Sequence, residues 1–134
     1  MNEEDKANKY PIMFEKSIVL QKYDSSFEIL KKANAEKVLL GKDIELYVKR
    51  RFGKYEKDRE YKKVIILATD ILNWSGVEKR IKSMINHLLG NSYYYSNKEK
   101  ELVDLVKIFK NEKDYQNNPL VRWAYSPVKE ERKK

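Results

Sequence analysis

The only histidine of the chain, His87, follows Arg80 by seven residues. A guanidinium can hold a phosphate, and an imidazole can act as general acid or base near neutral pH. Seven residues make about two helical turns, so both side chains would lie on one edge of the helical stripe of Val77, Ile81 and Met84. This pair is the sequence's one candidate for catalytic chemistry, with the imidazole as the group that could move a proton.

The Arg-x6-His spacing resembles the loose signature of the HEPN ribonucleases, a class of small helical domains that cleave RNA across a dimer. The resemblance implies that Arg80 would hold the scissile phosphate and His87 would serve as acid or base. The alternative places His87 near a helix end before Gly90, where it interacts with terminal carbonyls. We adopt the alternative, so we expect no enzymatic activity and assign no catalytic residue.

A second kind of chemistry, phosphate binding without catalysis, is suggested by the basic segment 49–63. Arginine forks match phosphate oxygens, and the ring of Phe52 or Tyr55 is a candidate for stacking on a base. Solvated cations at a helix C-terminus, marked by Gly53, would explain the same pattern without a ligand. The predicted contacts with nucleic acid in this segment are Lys49, Arg50, Arg51, Lys54, Tyr55, Arg59, Lys62 and Lys63.

A smaller basic cluster, Lys79, Arg80 and Lys82, stands at the predicted start of a helix. Positive charge there opposes the helix macrodipole, which makes sense if a polyanion binds or if Glu78 offsets the charge. The whole chain has 29 Lys and Arg against 21 Asp and Glu, a net charge of +8. A polyanion would be attracted by such a surplus, so we add these three residues to the predicted nucleic-acid contacts.

Aromatic residues outside the basic segment suggest a contact with other protein subunits. Tyr93, Tyr94 and Tyr95 are predicted to lie in a loop between Gly90 and Ser96, where at least one ring would face solvent. Trp123 and Tyr125 lie in a short apolar segment of the last third. Because Tyr and Trp are enriched at interfaces, we predict an interface there, with a homo-oligomer as one option. A base-stacking platform and packing within the bundle are the alternatives for the tyrosines. Folding back onto the bundle is the alternative for the segment of Trp123 and Tyr125.

Several classes of protein are excluded by what the chain lacks. It has no cysteine, which excludes disulfides, cysteine-based zinc and iron–sulfur sites and thiol catalysis. It has neither GxxxxGK[ST] nor GxGxxG, and its carboxylates alternate with lysines as on solvated helix faces. We therefore expect no metal and no cofactor. The longest apolar run, 64–68, is far too short to span a membrane, and the first residues are acidic, so we expect a cytoplasmic protein without membrane contact.

The elements that must position these residues are helices. Apolar residues recur at helical spacing in four strong stripes. The stripes are Ile44, Tyr47, Val48 and Phe52; Tyr61, Val64, Ile65, Ala68, Ile71 and Leu72; Val77, Ile81, Met84, Ile85 and Leu88; and Leu102, Leu105, Val106 and Phe109. A weaker stripe covers 27–38, and a first helix is expected over 12–23 after Pro11.

Local signals at the helix ends complete the prediction. Ser25, Ser75 and Ser96 each stand three residues before a glutamate, which predicts capping boxes. Gly41, Gly53 and Gly90 each follow an apolar stripe, which predicts helix stops. The fold class is therefore all-α: a single domain over 1–134, built as a compact bundle of five or six short helices. Residues 1–9 and 126–134 are expected to be flexible tails.

The most favoured function is a small basic helical protein that contacts the nucleic-acid backbone, RNA or DNA, as a non-catalytic subunit of a larger assembly. In general character the chain is similar to small helical subunits of ribonucleoprotein effectors, such as those of CRISPR complexes. The alternative from another class is a protein–protein interaction module of viral or mobile-element type with an acidic partner. The HEPN-like ribonuclease is the enzymatic alternative.

Overall fold

The apolar stripes fold as helices in the computed structural model, which describes residues 3–109 of the chain. Helices hold 81% of these residues, and there is no strand among them. The elements are α1 (Glu3–Val19), α2 (Tyr23–Ala35), α3 (Gly41–Tyr47), a π-helical turn (Val48–Phe52), α4 (Gly53–Lys57), α5 (Tyr61–Leu72), α6 (Lys79–Tyr95) and α7 (Glu99–Phe109).

The helix α3 continues without a break through the π-helical turn into α4. The residues at both junctions, Val48 and Gly53, keep right-handed helical backbone angles. The segment 41–57 is therefore one rod, and the described residues form six helical rods in a compact arrangement. This confirms the predicted all-α bundle of five or six helices.

One large core joins α1 to α6, and a smaller cluster attaches α7. Val64, Ala68 and Ile71 of α5 are fully buried, as are Ile81 and Ile85 of α6, so these two helices pack along their stripes. Trp74, just after α5, is buried against Phe27 with ring centroids 5.5 Å apart. The α7 residues Leu102 and Val106 pack mainly on Tyr93 and Tyr94 near the end of α6. The rod 41–57 also contacts α6, through α3.

The helix ends differ from the prediction, because none of the predicted glycine stops ends a helix. Gly41 begins α3, Gly53 lies within the continuous rod, and Gly90 is buried inside α6. The left-handed positions that end helices are taken by Gln21, Lys37, Arg59 and Asn97, with φ between 57° and 62°. Each is followed by a residue whose N–H bonds a carbonyl five positions back, as in a Schellman motif.

The three predicted capping boxes are also wrong. The N-cap residues of α2 and α6 are Lys22 and Glu78, and neither makes a side-chain capping hydrogen bond. Ser96 is instead the C-cap of α6. Ser26 bonds Ser17 across α1 and α2 at 2.7 Å, so a tertiary contact holds this helix start.

The first helix begins earlier than predicted and includes Pro11. Its N-terminal half is held by burial of Tyr10 and Phe14, and the Tyr10 hydroxyl donates a hydrogen bond to Glu36 on the α2–α3 turn. This packing offsets the hydrogen bond that a proline inside a helix cannot make. Residues 3–9, which we predicted as part of a tail, are thus helical, and the predicted tail 126–134 lies outside the described residues.

Candidate nucleic-acid interface

Two basic segments that are distant in sequence meet in the structure through one carboxylate. Glu45 on α3 pairs with Lys49 at 2.9 Å and with Arg80 on α6 at 2.6 Å. Lys49 belongs to the predicted segment 49–63, and Arg80 belongs to the predicted cluster at the start of α6. The sequence gives no signal for this link, because Glu45 and Arg80 are 35 residues apart and Glu45 was not a predicted site residue.

We call the nine exposed or half-exposed cations of the two segments the basic surface. Its members are Lys49, Arg50, Lys54, Arg59, Lys62, Lys63, Lys79, Arg80 and Lys82. Two more local pairs occur within it: Lys54 with Asp58 at 3.5 Å and Lys63 with Glu60 at 3.0 Å. Exposed pairs of this kind contribute about 0–1 kcal/mol each, so a phosphate can exchange with the carboxylate at little cost.

Five members of the basic surface form no ion pair within residues 3–109. They are Arg50, Arg59, Lys62, Lys79 and Lys82. All except the half-buried Lys82 are exposed. Arg59 stands at the left-handed corner between α4 and α5, and Lys62 follows it in the first turn of α5. These cations can meet an anion without breaking a contact in this part of the chain.

Arg51 is not a member of the basic surface, although we predicted it as a nucleic-acid contact. Its guanidinium carbon lies 5.0 Å from the ring centroid of Tyr23 and 4.5 Å from that of Tyr55. Only 21% of the side chain is exposed, and its nearest carboxylate, Asp24, is 3.7 Å away. Arg51 therefore joins α2 to the rod 41–57, and its cation is used inside the protein.

The two rings predicted to stack on a base from this segment are also part of the core. Phe52 is 0% exposed and Tyr55 is 7% exposed. Arg51 covers the ring of Tyr55 from one direction, and the Lys63 ammonium lies 5.6 Å from its centroid. Phe52 has no exposed ring surface, so its interpretation as a stacking platform is wrong. Tyr55 keeps only a small exposed part, which lines a surface pocket beside Asp24 and Lys63.

Arg80 and His87 both lie on the exposed side of α6, as their spacing predicts. Arg80 is already bound to Glu45 at 2.6 Å. The half-buried Glu56 on α4 lies near His87, and Asn91 hydrogen-bonds to it. Burial raises the pKa of Glu56, which His87 and Asn91 partly oppose. A phosphate at Arg80 would have to displace Glu45. Because α6 continues to Tyr95, His87 lies in the middle of this helix, and its expected place near a helix end is wrong.

The Glu45 carboxyl provides a pH-dependent marker of this junction. The hydrogen bond from Arg80, helped by Lys49, lowers its pKa to about 2. Because the folded-state pKa is below that of the unfolded chain, about 4.3, the stabilisation from this group is present above that pH and is lost as the pH falls towards 2. We expect a carboxyl NMR titration to give a midpoint near pH 2 for Glu45.

The matched variant for this titration is Arg80→Gln, which removes the strongest partner and leaves Lys49. Its Glu45 midpoint is expected to move up towards the ordinary value, because only the weaker partner Lys49 remains. A Glu45 midpoint near 4.3 in the unmodified protein would contradict the junction.

The three consecutive tyrosines are the last turn of α6 and not a loop, so that part of the prediction is wrong. Tyr93 contacts both clusters of buried residues, and Tyr94 packs beside Leu102 and Val106. Tyr95 is 60% exposed and stacks on Tyr61, with ring centroids 5.3 Å apart and planes at 19°. Two of the three rings are therefore packed within the bundle. Trp123 and Tyr125, the other predicted interface residues, lie outside the described residues.

Residues 3–109 contain neither a metal-binding cluster nor a membrane-spanning helix. No group of three His, Asp or Glu side chains there is placed to hold a metal ion. None of the helices in that range combines the length and the apolar character needed to cross a bilayer.

In comparisons with known proteins, no family model, curated protein or solved structure matches the chain.

Proposed function

We propose that the chain binds the phosphate backbone of nucleic acid through the basic surface, without catalysis, as a subunit of a larger assembly. The observation that carries the proposal is the Glu45 junction, which brings Lys49 and Arg80 from two predicted binding segments to one carboxylate. Residues 42–63 hold nine cations and five acidic residues, a local surplus of four. Such a surplus attracts a polyanion within a Debye length of about 8–10 Å.

We expect binding to DNA to weaken most when the removed cations are those of the basic surface that have no carboxylate partner. The triple variant Arg50→Gln, Lys62→Gln, Lys79→Gln removes three such charges. We expect weaker binding to a DNA duplex and a salt dependence of log K that is flatter by about 0.9 for each lost phosphate contact. The folded state should be unaffected within about 0.5 kcal/mol, since these are exposed substitutions. Fluorescence anisotropy over a salt series measures both the affinity and the slope.

The control is a second triple variant with the same loss of charge on other helices: Lys16→Gln, Lys32→Gln and Lys107→Gln of α1, α2 and α7. These lysines are exposed and have no ion pair within residues 3–109. The control should keep most of the slope and affinity. An equal effect of both triples would mean that binding follows net charge alone, against the proposed surface.

An acidic protein partner is the other outcome that this experiment can reveal. Its attraction to the same cations would also depend on salt, so the slope alone does not separate the two. Competition does: unlabelled DNA should displace the labelled duplex at a much lower charge concentration than polyglutamate. If polyglutamate competes equally well, the surface is not selective for phosphates. That result would favour the alternative function, a protein–protein interaction module with an acidic partner.

A further inference from the structure

The stacked pair of Tyr95 and Tyr61 carries an inference that rests on the proposed function and specifies its ligand. Tyr95 is 60% exposed, although its ring is fixed on two sides. One face lies on Tyr61 at 5.3 Å and 19°, and Tyr94 meets it edge-on at 5.1 Å and 84°. The ring is thus held in place by two aromatic neighbours while much of it stays open to solvent.

The position of this ring relates it directly to the basic surface. Tyr61 begins α5, between Arg59 and Lys62, which are both exposed and without an ion pair within residues 3–109. On the other side, the Lys98 N–H bonds the Tyr93 carbonyl at 2.9 Å, so the turn after α6 brings another exposed lysine back beside the last turn of that helix. Exposed cations therefore lie close in sequence to both tyrosines of the stacked pair: Arg59 and Lys62 beside Tyr61, and Lys98 after Tyr95.

We infer that Tyr95 is a stacking platform for an unpaired base, which makes single-stranded nucleic acid the preferred ligand of the basic surface. Any of the four bases can stack on an aromatic ring, while adjacent cations hold the backbone phosphates. A paired base offers no free face to the ring except at a duplex end. Tyr61 acts as a positioning residue here, because it supports the Tyr95 ring from behind.

The test compares, per phosphate, three probes: a strand of about 12 thymidines, the same backbone with abasic sites throughout, and a duplex long enough to stay paired. The unmodified protein should bind the thymidine strand about 5- to 150-fold more tightly than the abasic strand, the range for one stacked base. Tyr95→Ala should remove that difference and leave the salt slope unchanged, because no phosphate contact is lost. Tyr95→Phe, which keeps the ring, should retain it.

Each result separates this inference from the function on which it rests. If Tyr95→Ala binds the thymidine strand as tightly as the unmodified protein, the platform is wrong while phosphate binding stands. If the unmodified protein shows no salt-dependent affinity for any of the three probes, the proposed function fails and the platform fails with it. Circular dichroism melting of Tyr95→Ala confirms that the fold is intact, as expected for an exposed side chain.

Discussion

Replacing Phe52 with alanine is expected to lower the free energy of unfolding by about 3–5 kcal/mol, the range for a fully buried phenylalanine. The side chain is 0% exposed and meets the ring of Tyr47 edge-on, with centroids 6.3 Å apart and planes at 70°. Both rings belong to the rod 41–57 at its π-helical turn, so alanine would leave a cavity there. The free energy of unfolding of a domain of this size is about 5–15 kcal/mol in total, so the variant would lose a large part of its stability.

Denaturant unfolding followed by circular dichroism measures this loss. Phe52→Leu is the control because it retains an apolar side chain at the site, and it should cost much less than the alanine variant. The outcome also distinguishes the two roles that the sequence leaves open for Phe52. A ring that stacks on a base would be dispensable for stability, so a loss below 1 kcal/mol would contradict its placement in the core.

The fold was largely predictable because burial repeats with the period of a helix. Val64, Ala68 and Ile71 were predicted to face the core from their spacing alone, and all three are fully buried. The same holds for Ile81 and Ile85 of α6. A stripe with this period has to be covered by other helices whatever its exact neighbours are, which is why the all-α class follows from local sequence.

The helix ends were not predictable because tertiary contacts override local preference. Glycine favours the left-handed position after a helix, yet Lys37 adopts it with φ 62°. The neighbouring Asn34 accepts a hydrogen bond from the Gly76 N–H at 2.9 Å, so a contact 42 residues away holds this end of α2. Gly90 was likewise predicted to end a helix, but it is buried inside α6, and that helix continues to Tyr95.

The candidate site was predictable in composition and not in arrangement. Nine of the eleven predicted nucleic-acid contacts form the basic surface, since charged side chains stay at the surface in most folds. The sequence could not separate Arg50 from Arg51, because both fit a phosphate equally well. Only the packing of α2 against the rod 41–57 decides that Arg51 faces Tyr23 and Tyr55.

The second large change in stability is expected at Arg51, and the adjacent Arg50 provides its control. Arg51→Ala is expected to lower the free energy of unfolding by about 1.5–3 kcal/mol, from two cation–π contacts and the buried stem. The Arg51 Nε is buried with no hydrogen-bond partner among residues 3–109, so much of this guanidinium is withdrawn from solvent. Arg51→Lys should recover only part of the loss, because an ammonium lacks the planar guanidinium that stacks on aromatic rings. Chemical unfolding of both variants measures the difference.

Arg50→Ala is the matched control, one residue away and with the same change in charge. Arg50 is exposed and forms no ion pair within residues 3–109, so its loss should change stability by less than about 0.5 kcal/mol. It should instead weaken binding to DNA and flatten the salt dependence by about one unit, whereas Arg51→Ala, measured where it is folded, should keep the slope. The opposite pattern, with Arg50 needed for folding and Arg51 for binding, would mean that the guanidinium of Arg51 faces the ligand and that its packing between Tyr23 and Tyr55 is wrong.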